Sequence, residues 1–165
     1  MKKPVFTLLF FLLYISTALA EALPEYSLTY DPKRNALQDG RDAIKLASAT
    51  NRRIFIKLGG DWCKWCHILD RFLNTHPDIK SQLYDSFVVL KVNVSDENDN
   101  SEFLKVFPPS NGYPHMYITE SNGKLLLSND MTQFLVNGKY SKKKFNAFFK
   151  RWRLNKAVIA KEKYD

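Results

Sequence analysis

Apolar positions change period several times along the chain, and each change marks an element. "DGRDAIKLASATN" carries Ile44, Ala47 and neighbouring apolar residues at helical spacing, which predicts a helix over about 41–50. "RRIFIKL" then shifts to a short β-branched run and predicts a strand over about 53–58. Gly59-Gly60 breaks that strand, and Asp61 is placed to cap a helix beginning near Trp62. On this helix Cys66, Leu69 and Leu73 fall three and four residues apart, so they share the face it buries. "PDIKSQLYDS" predicts a further helical turn or two. "FVVLKVNV", residues 87–94, is apolar enough for a strand buried on both faces. "DENDNSEFLKVF" reads as a loop followed by a short helix.

In the last third, alternating residues flank Ser121-Asn122-Gly123, an Asn-Gly signal for a hairpin with strands at about 115–119 and 124–128. "SKKKFNAFFKRWRL" then places Phe145, Phe148, Phe149 and Trp152 at i, i+3, i+4 and i+7. That spacing predicts an amphipathic helix capped by Ser141, its aromatic stripe packed into a core. The order is therefore helix, strand, Cys-bearing helix, strand, helix, β-hairpin, helix. No internal repeat or low-complexity segment interrupts it.

The first twenty residues follow a different logic. Lys2 and Lys3 precede the apolar run "PVFTLLFFLLYI", which ends in the small-residue stretch "STALA". This is the pattern of a secretory signal peptide cleaved after Ala20. The apolar run is shorter than the roughly 20 residues of a spanning helix, so an uncleaved anchor is disfavoured. The mature chain is expected to be exported, periplasmic in a Gram-negative bacterium and secreted otherwise. Residues 21–38, with Pro24 and Pro32, read as an irregular lead-in, 39–156 as one domain and 157–165 as a charged tail.

Charge adds little to this picture. Without Lys2 and Lys3, 23 of the 25 basic residues face 17 acidic ones, a net charge of +6. The lysines are scattered or confined to one helix, and an exported protein meets little nucleic acid, so no nucleic-acid partner is expected. An anionic membrane surface or an acidic partner is the more economical use of that charge, and a solvated surface with no partner accounts for it best. Lys142, Lys143 and Lys144 sit in the first turn of the last helix, where positive charge is unfavourable, and hint weakly at a docking surface.

Export changes what the two cysteines mean. Both lie in "GGDWCKWCHIL", residues 59–69. Disulfides persist outside the cytosol, but a bridge across two residues closes a tiny loop and makes a poor staple. The pair is therefore chemical rather than architectural. Cys63-Lys-Trp-Cys66-His67 also has the spacing of a covalent haem site, with Met116 or Met131 as a second ligand. Its place after a β-strand and a Gly-Gly turn argues against haem. Zinc would need a fourth ligand beyond Cys63, Cys66 and His67 and has no second cysteine pair to supply it. No cofactor and no metal are expected.

The residues leave a redox dithiol. Cys63 stands at the first turn of a helix, where unpaired N–H groups and the helix dipole favour an anion and lower a thiol pKa from about 8.5. Lys64 adds positive charge and Asp61 opposes it. Cys63 is the expected exposed nucleophile, and Cys66, one turn inward, is expected to resolve the mixed disulfide. Trp62 and Trp65 either form an apolar platform around the pair or pack. His67 and His115 each read as a structural or a site residue, and His76 as a loop residue.

In element order and in four motifs the chain resembles the thioredoxin superfamily over roughly 39–153, an α/β fold with a central mixed sheet of about four strands flanked by helices. "FIKLGGDWCKWC" is similar to the strand, turn and Trp-Cys-x-x-Cys helix start. "VVLKVNVSDEN" is similar to the next strand, "GYPHMYI" to the cis-proline loop and "NGKLL" to the hairpin after it. The resemblance implies that Tyr113 and Pro114 lie beside the cysteines and receive an extended substrate. Lys57 occupies the strand position where thioredoxins carry a buried acid. It either stabilises a thiolate or sends its head to solvent. The mature chain holds no dimerisation domain, which counts against a dedicated isomerase, and a monomer is expected.

Two function classes follow. One is an exported thiol–disulfide oxidoreductase acting on protein disulfides or thiols and recharged by a membrane redox partner. The other is a thioredoxin-like binding or chaperone-type module, whose cysteines are vestigial or form only mixed disulfides.

Overall fold

The computed structural model describes residues 22–154. The leader read at 1–20 and the tail read at 157–165 lie outside these residues. Helix α1 spans Ala36–Thr50, β1 Arg53–Gly59, α2 Lys64–Thr75, α3 Pro77–Ser86 and β2 Phe87–Asn93. A single turn, α4 (Ser101–Leu104), precedes β3 (His115–Thr119), β4 (Leu125–Asp130), β5 (Leu135–Val136), β6 (Lys139–Tyr140) and α5 (Lys142–Trp152). The main sheet has the order β2-β1-β3-β4. β1 runs parallel to β2 and antiparallel to β3, which pairs antiparallel with β4. The mixed four-stranded sheet is the architecture the sequence predicts.

Side chains alternate across the sheet with the two-residue period of a strand. Ile54, Ile56, Leu58, Val88, Leu90 and Val92 pack on one face with Ala43 and Ala47 of α1. Phe55, Phe87, Val89, Met116 and Ile118 pack on the other, under α2, α3 and α5. The second face is aromatic: Phe134 stacks on Phe145 with ring centroids 4.2 Å apart, and Phe148 lies edge-on to Phe55. On this face two positions break the apolar stripe, Lys57 on β1 and Lys91 on β2. They stand opposite each other in the parallel register.

Helix α1 begins five residues before the predicted start, so the lead-in is shorter than the apolar pattern implied. Asn35 caps it, its side chain accepting from the Gln38 N–H at 3.1 Å. The first turns bury Ala36, Gly40 and Asp39, the last held by Arg34 at 2.6 Å. Small and charged residues carry no apolar periodicity, which is why the pattern missed them. α3 is longer than the one or two turns expected, with Pro77 at its first position. β4 runs to Asp130, because Asn129 and Asp130 still pair with Met116 and His115. At α5, Ser141 occupies the cap position without a side-chain bond, and its backbone N–H instead donates to the Phe134 carbonyl at 2.9 Å. Lys142 pairs with Asp78 of α3 at 2.7 Å, which gives one of the three N-terminal lysines a local partner.

The small β5–β6 hairpin was not predicted. It turns at Asn137 (φ 50°) and Gly138 (φ 73°), two positive φ values in succession. The hairpin brings Tyr140 against Phe72 and Trp65 of the Cys-bearing helix.

Candidate functional site

Strand β1 ends at Gly59, and the chain turns through Gly60, Asp61 and Trp62 before α2 starts at Lys64. Cys63 therefore sits at the N-cap itself. Its Sγ accepts the backbone N–H of Cys66 at 3.2 Å, the bond a capping side-chain oxygen usually takes. Asp61, expected to cap this helix, lies in the preceding turn, and its carbonyl takes a hydrogen bond from His67 Nε2 at 2.7 Å. The predicted buried face holds: Cys66, Leu69 and Leu73 all point into the core.

Cys63 and Cys66 are joined in a disulfide. Cys63 is only 3% exposed, which corrects the expectation of an exposed sulfur. Sequence position put it at a helix start but carried no information on what lies above it. Tyr113 packs against the pair from the loop before β3. Trp62 leans edge-on against Tyr113 at 5.2 Å and donates its indole N–H to the Val94 carbonyl at 2.7 Å, yet remains 58% exposed. Trp65 is also exposed, and Lys64 projects into solvent between the cysteines. The Tyr113–Pro114 peptide bond is cis. The Pro114 carbonyl accepts the Met131 N–H at 3.1 Å, so it is already occupied. Asp61, Trp62, Tyr113, Asp96 and Glu97 line a cleft with an acidic wall next to the cysteines.

Beneath the disulfide lies a charged cluster. Lys57 is 3% exposed, so its head does not reach solvent, and its Nζ donates to Asp70 Oδ1 of α2 at 2.5 Å. Lys91 donates to Asp70 Oδ2 at 3.0 Å and to the Leu28 carbonyl at 2.8 Å. Burial drives the Lys57 ammonium down to about 8, with Lys91 adding repulsion and Asp70 opposing both. Burial works to raise the Asp70 carboxyl, but the two ammonium groups outweigh it and hold the group below the usual carboxylate range.

Tyr30 closes the cluster. Its ring lies 5.3 Å from both Lys57 Nζ and Lys91 Nζ, and it packs with Cys63 and Cys66. In the sequence Tyr30 falls within the irregular lead-in. No periodicity marks an isolated aromatic there, and only its place among two prolines and charged residues could have flagged it.

The remaining histidines are less central. His115 is buried, Nε2 lies 3.0 Å from Ser128 Oγ, and burial lowers its pKa. Its ring lies tilted against Tyr117 with centroids 4.9 Å apart, on the face of the sheet that packs on α1. His76 joins α2 to α3 and stacks on Phe72. An apolar groove lined by Leu37, Ile44, Val106 and Phe107 lies on the α1 side and contains neither cysteine. Among the described residues no group of His, Cys, Asp and Glu is arranged to hold a metal, and no helix is long and apolar enough to cross a membrane.

The profile of the thioredoxin-like family matches residues 35–120, more than half of the chain. The chain belongs to the thioredoxin-like family. Among solved structures, it is similar to a disulphide isomerase from Xylella fastidiosa Temecula1, with a TM-score of 0.62 and 23% identity over 80% of this chain and 98% of the other. It is also similar to the oxidised C-terminal domain of Neisseria meningitidis DsbD, with a TM-score of 0.53 and 16% identity over 73% and 97% of the two chains. At these identities the likeness concerns the thioredoxin-like fold. An uncharacterized protein of Caenorhabditis elegans, B0495.5, is 28% identical over 68 residues, which are 41% of this chain and 9% of the worm protein. The chain thus spans less than a tenth of that relative.

Proposed function

We propose that this thioredoxin-like chain is an exported thiol–disulfide oxidoreductase that exchanges disulfides with protein substrates through Cys63 and Cys66. The observation that carries the proposal is the Cys63–Cys66 disulfide at the N-terminus of α2, with Cys63 Sγ as the helix cap. A sulfur in that position receives a backbone N–H and the positive end of the helix dipole, both of which favour its thiolate. A substrate thiolate attacks Cys63, the Cys63–Cys66 bond breaks, and Cys66 leaves as a thiolate. A second substrate thiol then releases the oxidised substrate and leaves the pair reduced. Run backwards, the same steps reduce a substrate disulfide.

Tyr113 and Pro114 receive an extended polypeptide beside the pair in this reading, and Tyr113 shifts to uncover Cys63. Export rests on the leader pattern of residues 1–20, and a membrane redox partner recharges the pair. The burial of Cys63 favours a second reading, a binding module that holds partners without turnover. Substrate trapping separates the two. Cys66→Ser should accumulate mixed disulfides through Cys63, while Cys63→Ser should lose reduction of a model protein disulfide. Capture of nothing by Cys66→Ser, with activity kept in Cys63→Ser, overturns the assignment.

A further inference from the structure

Tyr30 is 4% exposed, and among the described residues its hydroxyl has no hydrogen-bond partner. An unpartnered buried hydroxyl is unfavourable, and native structures rarely keep one without a reason. The surroundings supply one. A β-carbon on Gly59 would stand 2.5 Å from Cys66 Sγ and 3.0 Å from Tyr30 Oη, so the missing side chain of Gly59 leaves one small space that both atoms border. The ring cannot easily turn away, because Lys57 and Lys91 both lie against it at 5.3 Å.

We propose that Tyr30 is a positioning residue for thiol–disulfide exchange, whose hydroxyl donates a hydrogen bond to the Cys66 sulfur when that sulfur leaves as a thiolate. The inference rests on the oxidoreductase reading of the site. In the step concerned, the incoming thiolate bonds to Cys63 Sγ, the Cys63–Cys66 bond breaks, and its electron pair goes to Cys66 Sγ. Tyr30 keeps its proton throughout: burial pushes its hydroxyl well above the ordinary tyrosine value, and Asp70, Tyr140 and Tyr84 push the same way. In the disulfide state the donor has nothing to bond. In the reduced state it faces an anion. The hydroxyl therefore favours reduction of the pair.

The test is Tyr30→Phe, which keeps the ring over Lys57 and Lys91 and removes only the oxygen. In a Cys63→Ser background, thiolate absorbance against pH reports Cys66 alone, with Lys57, Lys91 and Asp70 unchanged around it. Loss of the hydroxyl should raise the Cys66 pKa by about one unit, a tenfold loss of thiolate at a given pH below the pKa. With both cysteines present, the equilibrium with glutathione should shift roughly threefold to tenfold toward the disulfide. Melting should separate the redox states: the oxidised variant holds or gains stability, whereas the reduced variant loses it. An unchanged Cys66 pKa, or melting shifts of the same sign in both states, overturns the proposal and leaves Tyr30 a packing residue. A native chain that fails to equilibrate with glutathione, while Cys66 still titrates higher in Tyr30→Phe, contradicts the oxidoreductase reading and leaves the contact standing.

Discussion

Lys57 and Lys91 face each other across parallel strands, and one carboxylate, Asp70, bonds both. Two cations, Lys57 buried and Lys91 partly so, on one partly exposed carboxylate is a poor way to stabilise a fold, because desolvation offsets most of the Coulomb gain. The Tyr30 ring packs against both ammonium groups and both cysteines, so the cluster lies one ring away from the disulfide. Where thioredoxins place an acid on the strand, this chain places Lys57 there and supplies the acid from α2.

Removing the shared anion should be far worse than removing one cation. Asp70→Asn leaves the buried Lys57 ammonium without its carboxylate and beside Lys91, and should cost about 3–5 kcal/mol in urea unfolding. Lys57→Met leaves the Lys91–Asp70 pair intact and should cost little at pH 7. Equal losses in the two variants would show that the cluster does not act as described.

Lys57 also sets a pH dependence. Its folded pKa is about 8 against 10.5 in the unfolded chain, so between these values the unfolded state binds a proton that the folded state does not. Stability should therefore rise with pH across that window, by about 2 kcal/mol from pH 7 to 9.5. Tyrosines with raised folded pKa values, Tyr26, Tyr84 and Tyr140 at about 12, oppose this as pH approaches the unfolded tyrosine value of about 10. Denaturant titrations at the two pH values should show the rise in the native chain and its loss in Lys57→Met.

Much of this was legible from residue spacing. Apolar runs mark β1 and β2, Gly59-Gly60 marks the turn between β1 and the Cys-bearing helix, and the helical period marks α2 and the aromatic stripe of α5. Four things were not. Tyr30 reaches the site from an aperiodic segment, and the Asp70 carboxylate enters the core from a helix position that looks polar and solvated. Asn137-Gly138 carried the same turn signal as Asn122-Gly123, but its two-residue strands are too short for any alternation to be seen. The burial of Cys63 depends on Tyr113, fifty residues on in the chain, which no local pattern encodes.

Gly59 is predicted to be intolerant of a side chain. A β-carbon there would meet Cys66 Sγ at 2.5 Å and Tyr30 Cζ at 2.8 Å, and neither atom belongs to a flexible chain end. Gly59→Ala should destabilise the oxidised protein by about 1–3 kcal/mol, as overpacked cores do, and thermal melting measures it. A neutral outcome would mean that the space beside Cys66 is larger than described.

The tryptophans give an optical readout of the pair. Trp62 and Trp65 flank the disulfide, whereas Trp152 lies at the far end of α5 beside Arg53. Disulfides quench nearby indoles, so reduction should raise emission reversibly. Most of the change should disappear in Trp62→Phe or Trp65→Phe and persist in Trp152→Phe.

If Cys63 and Cys66 form a working redox couple, titration against glutathione buffers will reveal it. Thiols are alkylated at each poise and counted by mass. The expected result is a reversible two-electron transition in which both thiols appear together and vanish together on reoxidation. A pair that stays oxidised or stays reduced across the whole buffer range, or that reacts once and does not return, would contradict it.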